Sequence, residues 1–333
     1  MANPTPEENT DYLEEILERQ DAHYAEDWVN QAQRWYEIGL NNVVLQCLGA
    51  ATGKPFTHVD LGCGPGTLLV QMHRDFPEAL LLGVDNNAQM LINAARLHQA
   101  TGTPFNLAIC KCLYQKADNR FKRIAEYHAD FDSMNFKDRS KVQLVCDDIR
   151  EIGVIKRILD GQQIDSGSLL LPGTSLTLAF EYPYALDTQD RNIQGQRITE
   201  IMSEVRSKAT EFMAQTLKPG GKYVCAERMA VVMDDMQRRV KDSLEKHLGP
   251  MKDYFDFGQS FTLKDETMIK TFLKDGSPQM DKALNNEVIE SKDSRIGLML
   301  PRREGELDEL RNNKSTIAAI VFTLIRNNTP FKK

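Results

Sequence analysis

The chain of 333 residues lacks any long hydrophobic run: its longest, 317–325, is interrupted by Thr323. That is well short of the ~20 apolar residues a membrane-crossing helix needs. Residues 1–15 carry neither a basic cluster nor an apolar stretch, so no secretory signal is expected. Positive charge is in deficit, with 41 Lys and Arg against 48 Asp and Glu and a formal net charge of −7. This disfavours a dedicated nucleic-acid binder, which needs a basic face to neutralise phosphates. Gly and Pro number only 20 and 13, which excludes collagen-like and low-complexity chains. No disulfide framework is visible: Cys47, Cys63, Cys110, Cys112, Cys146 and Cys225 are scattered through apolar runs, as buried thiols in a reducing compartment would be. Cys110 and Cys112 are too close for a zinc knuckle and have no second Cys/His pair nearby, so no metal site is expected. No repeat is present either. A cytoplasmic protein is the expectation, and a chain of this length buries roughly three quarters of its surface without a staple.

What is present changes character along the chain. Residues 1–52 read as helices, with Leu13, Ile16 and Leu17 on one face and Val44, Leu45 and Leu48 on another. Tyr24, Trp28, Trp35 and Tyr36 lie between them, either packing these helices together or forming a lid over a ligand. Residues 56–61 are a short apolar run ending in Gly62-Cys63-Gly64-Pro65-Gly66, followed by a helical stretch with Leu68, Leu69 and Met72 on one side. A second apolar run, 79–84, ends at Asp85, and Asn87 caps the helix carrying Met90, Leu91 and Ala94. This βαβα succession predicts a parallel sheet covered by helices.

Residues 101–140 read as irregular and relatively basic. Strand character returns at 142–146, before Asp147 and Asp148, and again at 175–180, before Glu181-Tyr182-Pro183-Tyr184. A long helix bearing Ile198, Ile201, Val205, Phe212 and Met213 then stops at Leu217-Lys218-Pro219-Gly220-Gly221, and strands follow at 222–226 and 316–325.

Glycines after a strand let the backbone approach a ligand closely. The following helix adds partial positive charge, and an acid ending the next strand can accept from both hydroxyls of a ribose. Gly62, Gly64, Gly66 and Asp85 therefore point to a nucleoside-containing ligand. The spacing is one residue short of the dinucleotide G-x-G-x-x-G. Asp60, two residues before the first glycine, is poorly placed for a pyrophosphate but suits the ammonium end of an amino acid.

Together these residues resemble the class I S-adenosylmethionine-dependent methyltransferases. Val59-Asp60-Leu61-Gly62-Cys63-Gly64-Pro65-Gly66-Thr67 is similar to that family's glycine motif, and Gly83-Val84-Asp85 with Met90-Leu91 to its second motif. Residues 142–149 are similar to its third-strand motif and Leu217-Lys218-Pro219-Gly220-Gly221 to its Leu-Lys-Pro-Gly-Gly turn. The order matches over 56–226. The resemblance implies an α/β, Rossmann-like, doubly wound and mostly parallel seven-stranded sheet with an antiparallel last strand, an N-terminal helical cap and insertions. It implies S-adenosyl-L-methionine as cofactor and S-adenosyl-L-homocysteine as product. Asp60, Gly62 and Gly64 would hold the methionine moiety and Asp85 the ribose hydroxyls, with Cys63, Gly66, Asn86 and Phe180 as further cofactor-binding candidates. Asp148 would accept from the adenine amino group beside the backbone of Ile149, with Asp147 as second choice. Asn86 stands where the family usually has an apolar residue.

The acceptor side is expected after the fourth strand, where Glu181 and Tyr184 are the catalytic candidates and Tyr182, Tyr24 and Trp28 line the substrate. Glu181 would serve as base or bind a cationic acceptor, or else only cap a turn. His23 and His128 are further base candidates, His58 reads as structural, and Phe255, Phe257 and Phe261 line a pocket or form core. The domains expected are a helical cap over 1–52, the cofactor core over 53–227 with its insertion, a substrate-side helical and aromatic insertion over 228–293, and a closing strand pair over 294–333. The expected activity is methyl transfer to a small-molecule acceptor, with no nucleic acid and no membrane as partner, and a homodimer is allowed. A protein methyltransferase and a catalytically silent binding module are the alternatives.

Overall fold

The computed structural model describes residues 35, 37–49, 55–108, 110–117, 120–127, 135–150, 152–171, 191–232, 241–242, 244–245, 248–264 and 315–331. The helices are α1 (Leu40–Leu48), α2 (Thr67–Asp75), α3 (Ala88–Ala100), α4 (Gly153–Leu159) and α5 (Arg191–Thr216). The strands are β1 (Thr57–Leu61), β2 (Leu80–Asp85), β3 (Phe105–Ala108), β4 (Cys110–Ala117), β5 (Arg120–Tyr127), β6 (Val142–Cys146), β7 (Ile164–Leu171), β8 (Leu217–Val232), β9 (Phe255–Lys264) and β10 (Ser315–Arg326).

Eight of these strands form one sheet in the order β3-β6-β2-β1-β7-β8-β10-β9. The first six run parallel and β10 runs antiparallel to both its neighbours. The central strands β1, β2 and β6 are buried at every position, as a parallel sheet covered on both faces requires. On one face α1 and α2 pack Val44, Cys47, Leu69 and Met72 against Leu81 and Leu144. On the other, α4 and α5 pack Ile155, Phe212 and Met213 against Val59, Leu61 and Leu82. Helix α3 serves both, through Met90 on one side and Leu91 and Ala94 on the other.

The mostly parallel sheet with a reversed last strand is as expected, with one strand more than seven. The extra strand is β3, which joins the outer edge by pairing Phe105 with Val142. Its four residues are mostly half-buried, too short and too mixed to show a period. Residues 110–117 and 120–127, read as irregular, are β4 and β5, paired antiparallel in a separate sheet.

A larger correction concerns the strand beside β1. The sequence placed it at 175–180, whereas β7 occupies Ile164–Leu171. Four of its eight residues, Asp165-Ser166-Gly167-Ser168, make it too polar to read as buried strand. Gly167 lets α5 pack close, since an added Cβ would meet the end of the Met213 side chain and force it to shift. Phe255, Phe257 and Phe261 belong to β9 at the opposite edge, with Phe255 in the core and Phe257 exposed. Among the described residues no helix is long and apolar enough to cross a membrane.

Candidate functional site

Strand β1 ends at Leu61, and the chain turns through Gly62-Cys63-Gly64-Pro65-Gly66 into α2. The three glycines have φ of 66°, 55° and 72°, a region L side chains enter only with strain. The Cys63 N–H donates to the Val84 carbonyl at 2.8 Å, tying the turn to β2. A Cβ at Gly66 would lie 2.9 Å from Nε2 of buried His98, so this corner is closed sterically as well.

Asp85 ends β2 with its side chain buried. Its Oδ2 accepts from the Gly64 N–H at 3.0 Å and its Oδ1 from the Asn87 N–H at 2.9 Å. One carboxylate thus ties the glycine turn to the start of α3. Asn87 caps that helix as expected, accepting from the Met90 N–H at 3.0 Å. Burial pushes the Asp85 carboxyl up to about 6, offset in part by the amides of Asn87, Gly64 and Asn86. A carboxylate offers about four lone-pair sites, so capacity remains for a ligand's hydroxyls.

Asp60 lies on β1 beneath the turn, buried, and accepts from the Ser168 hydroxyl at 2.6 Å. Burial drives it up to about 7; the Ser168 bond acts downward and the Asp85 charge upward. Cys63 is buried beside both acids, and burial followed by the charges of Asp85 and Asp60 raises its thiol well above the usual range, so it stays protonated. The two acids and the glycine turn therefore converge.

At the end of β6 the structure separates two adjacent acids. Asp147 is buried and accepts from the Val154 and Ile155 N–H groups at 2.8 and 3.1 Å through Oδ2, and from the Asp148 N–H at 3.0 Å through Oδ1. It is the anchor of α4. Asp148 is half-buried and held by Arg150, whose Nη2 donates to Oδ2 at 2.8 Å and whose Nε donates to Oδ1 at 3.1 Å. Asn86 is half-buried, and its carbonyl accepts from the Cys146 thiol at 3.8 Å. Ile149 packs into the α4–α5 core. Tyr24, Trp28, Phe180, Glu181, Tyr182 and Tyr184 lie outside the described residues, as do His23 and His128. Since β7 ends at Leu171, Phe180 and Glu181 do not directly follow the fourth parallel strand. Among the described residues no group of three or more His, Cys, Asp or Glu could hold a metal ion.

Reading the sequence took His58 as structural, which its burial bears out, but missed its partners, and it missed Arg150 altogether. His58 sits inside β1, wholly buried, with Nδ1 2.9 Å from Ser166 Oγ and Nε2 3.0 Å from Ser168 Oγ. Burial lowers it to about 3, so the ring is neutral. Its partners are 108 and 110 residues away, on the strand the sequence had misplaced. The signal available for Arg150 was its position two residues after Asp148.

Residues 59–146, from β1 to the end of β6, match the family model described as a methyltransferase domain. A trans-aconitate 2-methyltransferase of Yersinia pestis (strain Pestoides F) is 36% identical over 70 residues, covering 21% of this chain and 27% of that enzyme. The matched stretch is thus about a quarter of the curated relative's length. Among solved structures, geranyl diphosphate C-methyltransferase from Streptomyces coelicolor A3(2) aligns at 11% identity and TM-score 0.41, over 87% of this chain and 79% of that one. A methyltransferase from Thiobacillus denitrificans in complex with S-adenosyl-L-homocysteine aligns at 13% and 0.40, over 86% and 90%. The glycine turn and its two acids thus lie within the stretch, residues 59–146, over which the chain is similar to a methyltransferase domain.

Proposed function

We propose that the protein transfers a methyl group from S-adenosylmethionine to a small-molecule acceptor. The observation that carries this reading is the Asp85 carboxylate, which joins the Gly64 and Asn87 amides at the end of β2. The described residues fit the cofactor: the positive-φ glycines leave backbone open to it, Asp85 has capacity for ribose hydroxyls, and Asp60 lies where an ammonium would approach. Asp148 and the backbone of Ile149 would meet adenine, with Asp147 already committed to α4. When bound, S-adenosylmethionine supplies a methyl group on a sulfonium, ready for in-line displacement.

The chain's own work is to orient the acceptor, exclude water and, where needed, remove a proton. In this fold acceptors bind beyond the C-terminal ends of the strands. Residues 172–190 leave from that end of β7, whose Leu169 pairs with Leu61 just before the glycine turn. This supports keeping Glu181 and Tyr184 as the proposed catalytic pair and Tyr182 as proposed lining; Tyr24 and Trp28 stay proposed for the acceptor side and Phe180 for the cofactor side. The relative named for trans-aconitate supports an acceptor of modest size.

Calorimetry with S-adenosylmethionine tests the reading. Saturable binding is expected, and silence at millimolar ligand would overturn it. Glu181→Gln should slow turnover while leaving cofactor affinity unchanged; equal turnover would remove Glu181 from the chemistry.

A further inference from the structure

The centre of the sheet holds a line of four buried polar side chains, His58 and Asp60 on β1 facing Ser166 and Ser168 on β7. Parallel pairing sets His58 opposite Ser166 and Asp60 opposite Ser168, so all four lie on the α1–α2 face. Every hydroxyl proton has one place to go. Ser168 donates to Asp60 Oδ1 at 2.6 Å, so towards His58, 3.0 Å away, the same oxygen acts as acceptor and Nε2 carries the ring proton. The opposite nitrogen, Nδ1, is then an acceptor, and it receives the Ser166 hydroxyl at 2.9 Å. The line reads Ser166 to His58 to Ser168 to Asp60, with all donors pointing at the carboxylate.

Burying such groups costs free energy that apolar side chains would avoid. The surrounding positions on this face, Leu81, Leu144 and Val224 among them, are apolar. The polar line therefore serves its end point, and its end point lies directly under the glycine turn. We propose that His58, acting through Ser168, is a positioning residue for Asp60, fixing the direction of hydrogen bonding so that Asp60 is the carboxylate that receives the ammonium end of the cofactor. This rests on the function proposed above. Among the described residues the titratable groups around Asp60 are His58 on β1, Asp85 on β2 and Cys63 in the turn. His58 is neutral, and the Asp85 charge opposes ionisation of Asp60. The Ser168 hydroxyl is the contact that favours the charged form.

The test uses the full chain in two measurements. Carbon-13 NMR of the ligand-free protein follows the Asp60 carboxyl through its titration. Loss of a donor to a carboxylate raises its pKa, so Ser168→Ala should move the midpoint up by about one unit, and Ser168→Thr should restore it. Ser166→Ala, which does not touch Asp60, should raise it by a smaller amount by freeing the imidazole to change tautomer. A purely structural role would lower the melting temperature in each variant and leave the midpoint in place, and that result overturns the relay. Calorimetry with S-adenosylmethionine from pH 6 to 9 is the second measurement. Ser168→Ala should bind about tenfold more weakly at neutral pH and approach wild type at the alkaline end. A shifted midpoint with unshifted binding would overturn the link to the cofactor. Absence of binding by the wild type would overturn the proposed function, while the NMR titration still decides the relay.

Discussion

Two acids end neighbouring strands of one sheet, Asp85 after β2 and Asp147 after β6, and the Asp147 N–H donates to the Asp85 carbonyl at 3.2 Å. Both are buried, and both take backbone amides. Yet Asp85 joins two separate segments, the glycine turn and α3, whereas Asp147 closes on Asp148 and the helix just downstream. The next residue, Asp148, is half-buried and clamped by Arg150. Place at a strand end thus does not decide what an acid does. Its donors do: Asp85 spans to the glycine turn 21 residues away as well as to the start of α3, whereas Asp147 stays with its own downstream helix.

The sharpest way to separate the two classes is by protonation. Burial raises Asp60 to about 7 and Asp85 to about 6 in the folded protein, above the ordinary carboxylate value. The native state therefore holds these protons more tightly than the unfolded chain. Stability should fall as pH rises from about 4 through 7, each unit of elevation being worth about 1.4 kcal/mol. Urea unfolding across this range should show that slope, and Asp85→Asn should flatten its portion; an unchanged slope would mean Asp85 is not the strained carboxylate. Next in size, Asp85→Ala should weaken S-adenosylmethionine binding by roughly 1.5–3 kcal/mol, the loss of a hydrogen bond to a charged group, as read by calorimetry. Asp147→Ala should do the reverse, lowering stability by about 1–2 kcal/mol through loss of the α4 cap while the cofactor affinity measured on the folded fraction holds. If Asp147→Ala lost affinity as strongly as Asp85→Ala, the distinction between site and anchor would collapse. Smallest of all, Arg150→Met frees Asp148 from a partly exposed ion pair, and less than about 1 kcal/mol of stability should be lost.

How much of this could be read beforehand depends on whether the information is local. The glycine turn, Asp60 and Asp85 were legible because a positive-φ glycine turn between strand and helix, and the acid that ties it down, are local features of the sequence. The Asn87 cap was legible for the same reason. Asp147 and Asp148 were distinguishable only once α4 was known to start at Gly153, since the choice rests on which carboxylate reaches the Val154 and Ile155 amides. Strand β7 escaped because half of it is serine, aspartate and glycine. Its polar residues make sense only opposite His58 and Asp60, more than a hundred positions earlier. A period of apolar residues finds ordinary core, and β7 is core of another kind.

The placement of β10 has a consequence for how the molecule is made. It lies between β8 and β9, though it follows β9 in the chain by about fifty residues. Strand β9 therefore has no place in the sheet until β10 has been synthesised, and until then β8 presents an open, apolar edge with Tyr223, Val224 and Cys225 along it. Such a long-range closure is slow relative to local contacts. Chains arrested on the ribosome before Ser315 should be the species that recruit chaperones, and release of β10 should be the moment at which that recruitment ends.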